Sequence, residues 1–225
     1  MKTFHAALAI AAKDLRIEWR TKTALLTSTV FAALVFLIFV FSRDTGTLSL
    51  RELAPSVLWV TLALAVLTAL NRAFLLEREN SALEAILLAP VSRSAIFWGK
   101  WLANLGFVLI IEAVAFPLWI LFFAVEIRPI LLVVALLALL AAVGFTAVGT
   151  VFSAMTVRTR FAELLLPVML LPFMIPPLFF ASQGTVRLFE GRPVADALQW
   201  LKLLALYDLA FLMIATMLFP KVMDE

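Results

Sequence analysis

Six runs of mostly apolar residues, at roughly 24–42, 56–74, 98–124, 129–155, 164–182 and 200–220, constrain this chain more than anything else in it. Each is near the ~20 residues a helix needs to cross the hydrocarbon core of a bilayer. In lipid every backbone amide must find its partner within the segment, so runs of this length become helices. Hydrophobic residues make up 64% of the 225, against about 45–50% in soluble domains. A soluble core could not absorb that surplus. The sequence therefore predicts an all-α polytopic membrane protein, with residues 1–225 forming a single transmembrane domain. The first run, Ala24–Phe41, is too long for a signal-peptide core and no A-x-A-like site follows it, so it is expected to remain as the first span.

An even number of spans puts both ends on one side. With the N-terminus inside, twelve lysines and arginines fall in the cytoplasm, and six (Arg43, Arg51, Arg128, Arg187, Arg192 and Lys202) fall outside. That excess sets the orientation, and it assigns the net charge of +3 to the positive-inside bias rather than to nucleic acid. Trp98 and Trp101 flank the inner end of the third span, and Trp59 and Trp200 lie near outer ends, as interfacial anchors should. Residues 3–22 read as a basic amphipathic helix in the cytoplasmic interface. Phe4, Leu8, Ala11, Leu15 and Trp19 share one face, with Lys13, Arg16 and Arg20 away from it. Such a helix either docks on anionic headgroups or simply orients the first span.

The densest charged stretch, Glu77–Arg93, lies between the second and third spans and so faces the cytosol. Ser81-x-x-Glu84 has capping-box spacing, Leu83, Ile86 and Leu87 recur on one helical stripe, and Pro90 ends the pattern. The pattern predicts a short coupling helix over 81–89 with an apolar stripe that needs a protein partner.

Two further patterns concern packing. Gly144-x-x-x-x-Gly149, with Ala141, Ala142 and Ala147 nearby, predicts close helix contact in lipid, either within the chain or between subunits. Pro167, Pro172, Pro176 and Pro177 remove four backbone donors from the fifth span. Residues 172–198 are therefore expected to be broken and partly re-entrant on the outer side; a merely kinked span is the alternative. Two acids lie within spans, Glu112 and Asp208. An intramembrane carboxylate is costly enough to mark a functional site, or else it joins two helices through a hydrogen bond from a facing one.

Residues for chemistry are scarce. The chain has no cysteine and one histidine, His5, so neither a His/Cys metal cluster nor a Ser-His-Asp arrangement can be assembled from it. No catalytic, metal or cofactor-binding residue is assigned, and haem has few candidate ligands. No P-loop signature is present, so nucleotide energy would have to come from a partner on the cytosolic side.

At this point the residues resemble a family. Six spans after an amphipathic N-terminal helix resemble the membrane subunits of ABC-2-type exporters. Glu77-Arg-Glu-x-x-x-Leu-Glu84, Pro90-Val-Ser-Arg93, Phe97-x-Gly-Lys100 with Asn104, and Leu164-Leu-Leu-Pro167-x-x-Leu-Leu-Pro172-x-x-Ile-Pro176 resemble haem exporter protein B of cytochrome c maturation, CcmB. The resemblance runs over nearly the whole chain. It implies a non-catalytic permease subunit in a bacterial inner membrane, paired with a second copy of itself and with a CcmA-like ATPase. It also implies a CcmC-like haem handler, a small CcmD-like single-span protein and a CcmE-like haem chaperone as partners. In that system ATP is bound by the ATPase, haem is handled by the partners, and hydrolysis drives release of the haem-loaded chaperone. On the same resemblance Glu77, Glu79, Ser81, Leu83, Glu84, Ile86, Leu87, Pro90 and Arg93 form the ATPase-coupling segment. A permease exporting a lipid, glycan or drug, and a non-transporting membrane scaffold, are the rival readings.

Overall fold

A computed structural model describes residues 2–42, 49–79, 90–156 and 162–224. Its elements are α1 (Lys2–Thr21), α2 (Thr23–Ser42), α3 (Leu50–Glu79), α4 (Arg93–Phe122), α5 (Ile130–Thr156), α6 (Ala162–Phe189) and α7 (Val194–Asp224). The six helices from α2 to α7 are each long and apolar enough to cross a membrane. The described residues thus form an all-helical, multi-pass membrane chain.

Local chemistry sets the helix ends. Lys22 adopts φ +54° and separates α1 from α2 within one residue, a left-handed conformation uncommon for anything but glycine. Ser49 and Glu52 form a capping box at the start of α3. The Ser49 amide and hydroxyl both donate to Glu52 Oε2, at 2.7 and 2.8 Å, and the Glu52 amide donates back to Ser49 Oγ at 3.2 Å. Gly191, at φ +79°, ends α6 in a Schellman motif. Its amide donates to Leu188 O, the Arg192 amide donates to Arg187 O, and Pro193 follows.

α3 is the central helix: 67% of its apolar window is buried, against 17% for α2. Leu58, Trp59, Leu62 and Val66 of α3 pack in one cluster with Trp119 of α4, Leu137 and Phe145 of α5, and Leu170 and Met174 of α6. Lipid tails are as apolar as these side chains, so close packing and interhelical hydrogen bonds hold such a bundle, with little help from hydrophobic burial. Trp59 Nε1 donates to Thr185 Oγ1 at 2.9 Å and Trp119 Nε1 to Ala54 O at 2.8 Å. Trp59 is therefore a core residue and not the interfacial anchor expected of it, because its indole N–H is satisfied inside the bundle.

The fifth span corrects a second expectation. α6 is assigned as helix from Ala162 to Phe189, through all four prolines, and only Glu190–Pro193 separates it from α7. Residues 172–198 do not form a broken, re-entrant segment. Proline's φ suits a helix; what it lacks is the donor to the carbonyl four residues back. The carbonyl of Phe173 loses both of its usual helical donors, since Pro176 and Pro177 stand three and four residues on. Tyr207 of α7 replaces them, its hydroxyl donating to Phe173 O at 2.6 Å. A neighbouring helix thus satisfies a carbonyl that would otherwise be stranded in lipid.

Candidate functional site

The segment expected to couple to an ATPase runs from the end of α3 to the start of α4. Glu77 and Glu79 fall in the last turn of α3, while Ser81, Leu83, Glu84, Ile86 and Leu87 lie outside the described residues. Pro90 is exposed in a bend, and Arg93 is the first residue of α4. Ser92 caps that helix, its Oγ accepting from the Ala95 amide at 3.2 Å. The cap satisfies a free N–H and fixes where α4 begins.

From this cap the first three turns of α4 are gripped on three sides. Phe97 is fully buried and packs on Phe219 of α7 with ring centroids 5.4 Å apart. Gly99 lets α1 come so close that a Cβ there would stand 2.7 Å from Ile10 Cβ and 2.8 Å from Ala7 O. Lys100 is buried, 5% exposed, with its Nζ 2.8 Å from Asp14 Oδ2. Lys13 Nζ lies 2.8 Å from the other Asp14 oxygen. Trp101 Nε1 donates to Val143 O of α5 at 3.4 Å, and Asn104 Nδ2 donates to Thr150 Oγ1 at 3.0 Å. Each residue of Phe97-x-Gly-Lys100 with Asn104 therefore has a separate contact: α7 for Phe97, α1 for Gly99 and Lys100, α5 for Asn104.

α1 turns to the protein a face that shares only Ala11 and Leu15 with the apolar stripe expected at the interface. Ala7, Ala11 and Glu18 are buried and Ile10 packs at Gly99, whereas Phe4 and Trp19 are each 63% exposed. The face turned to the protein is the one with small side chains, because only they allow a close approach to α4. Phe4, Leu8 and Trp19 form an outward apolar sector beside it. Contacts advance from Ala7 and Ile10 at Gly99 to Leu15 at Gly106, so α1 leans along α4 in the same general direction.

The intramembrane acids lie apart from this junction. Asp208 is 4% exposed, and neither of its oxygens has a hydrogen-bond partner among the described residues. The facing helix offers it Gly144: a Cβ at that position would be 2.7 Å from Asp208 Oδ1 and 3.1 Å from Tyr207 Cε1. The hydrogen bond expected from a facing helix is absent there, since glycine brings no donor. Glu112 of α4 is 6% exposed and likewise makes no hydrogen bond or ion pair among the described residues. Gly149 faces Leu70 of α3, where a Cβ would be 2.6 Å from Leu70 Cδ1. Both glycine contacts are filled by this chain's own helices.

Sequence reasoning missed Asp14, Ser92, Tyr207 and Phe173. Asp14 shares α1 with Glu18 among several cations, and nothing local to it points to a lysine on α4. Tyr207 is the chain's one tyrosine, and nothing local to it points to the prolines of α6.

Comparison with known proteins agrees with the motifs. A family profile described as CcmB protein matches residues 5–224. Heme exporter protein B of Pseudomonas aeruginosa is 29% identical over 194 residues, covering 85% of this chain and 86% of that protein. The protein of the same name from Rhodobacter capsulatus is 30% identical over 189 residues, covering 81% and 84%. That from Paracoccus denitrificans is 31% identical over 218 residues, covering 90% and 92%. With a family profile and relatives that both span most of its length, the chain belongs to the CcmB protein family.

Proposed function

We propose that this chain is the membrane subunit of an ABC-type complex in cytochrome c maturation, held in a bacterial inner membrane with both termini cytoplasmic. Its curated relatives carry the name heme exporter protein B, which supports a haem-related ABC permease as the coarse reading. The finer reading is that a separate CcmA-like ATPase docks on Glu77–Arg93 and that hydrolysis there releases a haem-loaded CcmE-like chaperone. Two copies of the chain would pair with two ATPase subunits, alongside CcmC-like and CcmD-like proteins. The chain itself performs no chemistry in this account; ATP stays on the ATPase and haem on the partners.

The observation that carries this is the sequence between α3 and α4. In the sequence Leu83, Ile86 and Leu87 recur at three- and four-residue spacing between the charged residues Glu77 and Arg93, in a segment the charge count assigns to the cytosol. A stripe of that kind at a membrane surface fits a groove on a soluble partner. The segment runs directly into a helix whose inner end is packed on α1, α5 and α7, so a force applied there reaches the bundle. Replacing Leu83 and Leu87 with aspartate should abolish co-purification of the ATPase while the chain still inserts. Intact co-purification would overturn the docking assignment.

A further inference from the structure

We infer that Asp14 and Lys100 are a positioning pair that makes α1 travel with the inner end of α4, so that α1 and α2 form a driven arm of the permease. This deepens the proposed function and rests on it. A lysine buried to 5% exposure is expensive to keep unless paired, and its Nζ is 2.8 Å from Asp14 Oδ2. The pair lies one residue from Gly99, where α1 approaches α4 at backbone distance. Packing and charge therefore join the two helices at the same place, two turns past the Ser92 cap and next to the coupling segment.

What lies beyond the junction determines where the motion goes. α1 ends at Thr21, Lys22 takes φ +54°, and α2 starts at Thr23, which leaves one backbone joint between the two helices. Several hydrogen bonds cross the joint: Lys22 N to Glu18 O at 2.7 Å, Leu26 N to Lys22 O at 2.9 Å, Leu25 N to Glu18 Oε1 at 3.4 Å and Thr23 Oγ1 to Thr21 O at 3.2 Å. α2 is the least buried of the spans, with 17% of its apolar stretch covered, and Phe36 seats it on Phe122 and Phe123 at the far end of α4. α3, covered over 67% of its window, is the fixed element. A push on the inner end of α4 thus reaches the start of α2 through Asp14–Lys100 and the Lys22 joint, in step with the direct packing of Phe36 on Phe122 and Phe123. Removing the charges leaves the ATPase docked but uncouples the arm.

The test uses the complex of this chain with its ATPase subunit in phospholipid vesicles. The readouts are ATP hydrolysis stimulated by the permease and co-purification of the ATPase. Asp14→Asn and Lys100→Met should each lower stimulated hydrolysis roughly tenfold, within the usual span of coupling between sites, with the ATPase still bound. Lost co-purification would instead count against the docking reading. The exchange Asp14→Lys with Lys100→Asp should restore most of the rate. A second variant needs no charge change. A Cβ at Gly106 would stand 4.0 Å from Leu15 Cγ, so Leu15→Cys and Gly106→Cys put two thiols at one contact for an oxidant to bridge in a chain without native cysteine, with the bridge verified by non-reducing electrophoresis. If α1 and α4 move as one body, the oxidised and reduced forms of that protein hydrolyse ATP at the same stimulated rate. Single variants at the parent rate, or a disulfide that abolishes stimulation, would overturn the inference.

Discussion

Replacing Tyr207 with phenylalanine deletes the one oxygen that donates to Phe173 O at 2.6 Å and changes little else. That carbonyl has no helical donor, because Pro176 and Pro177 occupy the positions three and four residues on. Hydrogen bonds between membrane helices average about 0.6 kcal/mol and reach about 1.7 kcal/mol. Here the alternative to the bond is a carbonyl without any donor in lipid, so the upper end applies, about 1.5 kcal/mol. The cause can be isolated with a second change. Pro177→Ala restores an amide four residues beyond Phe173, so in that background Tyr207→Phe should cost no more than about 0.5 kcal/mol. The coupling between the two positions is then about 1 kcal/mol, well above the ~0.3–0.5 kcal/mol scatter of independent sites. Unfolding of the purified protein in mixed micelles by dodecyl sulfate, for the parent, both single variants and the double variant, measures it. Equal losses from Tyr207→Phe in both backgrounds would refute the argument that the tyrosine compensates for the prolines.

Gly144→Ala would place a methyl 2.7 Å from Asp208 Oδ1, so it should destabilise by about 1–3 kcal/mol as an overpacked contact; most of the loss should disappear when combined with Asp208→Ala, as read from thermal midpoints. Trp119→Phe removes the donor to Ala54 O and part of a fully buried ring, at a cost of about 1–3 kcal/mol in the same titration. Glu52→Ala removes the acceptor for both the amide and the hydroxyl of Ser49. Hydrogen exchange should rise in the first turn of α3 while the global unfolding midpoint holds.

Much of the bundle was legible because apolar length alone decides a span, and α2 to α7 match the six predicted runs, which overshoot them by no more than two residues. What sequence could not separate was protein-facing from lipid-facing. On α1, the stripe read as interfacial leaves Phe4, Leu8 and Trp19 outward, but it also included Ala11, which is buried with Ala7 because only small side chains allow the close approach to α4. The same logic made Gly144 and Gly149 visible as contact points without naming Asp208 and Leu70 as their neighbours. Counting missing donors at the prolines of α6 led to a broken segment, because the compensating hydroxyl belongs to a different helix. Phe97-x-Gly-Lys100 was recognisable as a pattern, yet its reason lies in Asp14 and Phe219, far off in sequence. Pairings across the bundle depend on which helices pack together, and no local pattern encodes that.

The central claim is that this chain transmits ATP hydrolysis in a partner to release of a haem-loaded chaperone. The direct measurement reconstitutes the chain with its ATPase, a CcmC-like and a CcmD-like protein and haem-loaded CcmE-like chaperone in vesicles, then follows chaperone dissociation after ATP is added. The account predicts ATP-dependent release that is lost when Leu83 and Leu87 are replaced with aspartate. Release without this chain, or ATP-driven transport of a lipid, glycan or drug with the chaperone still bound, would contradict it.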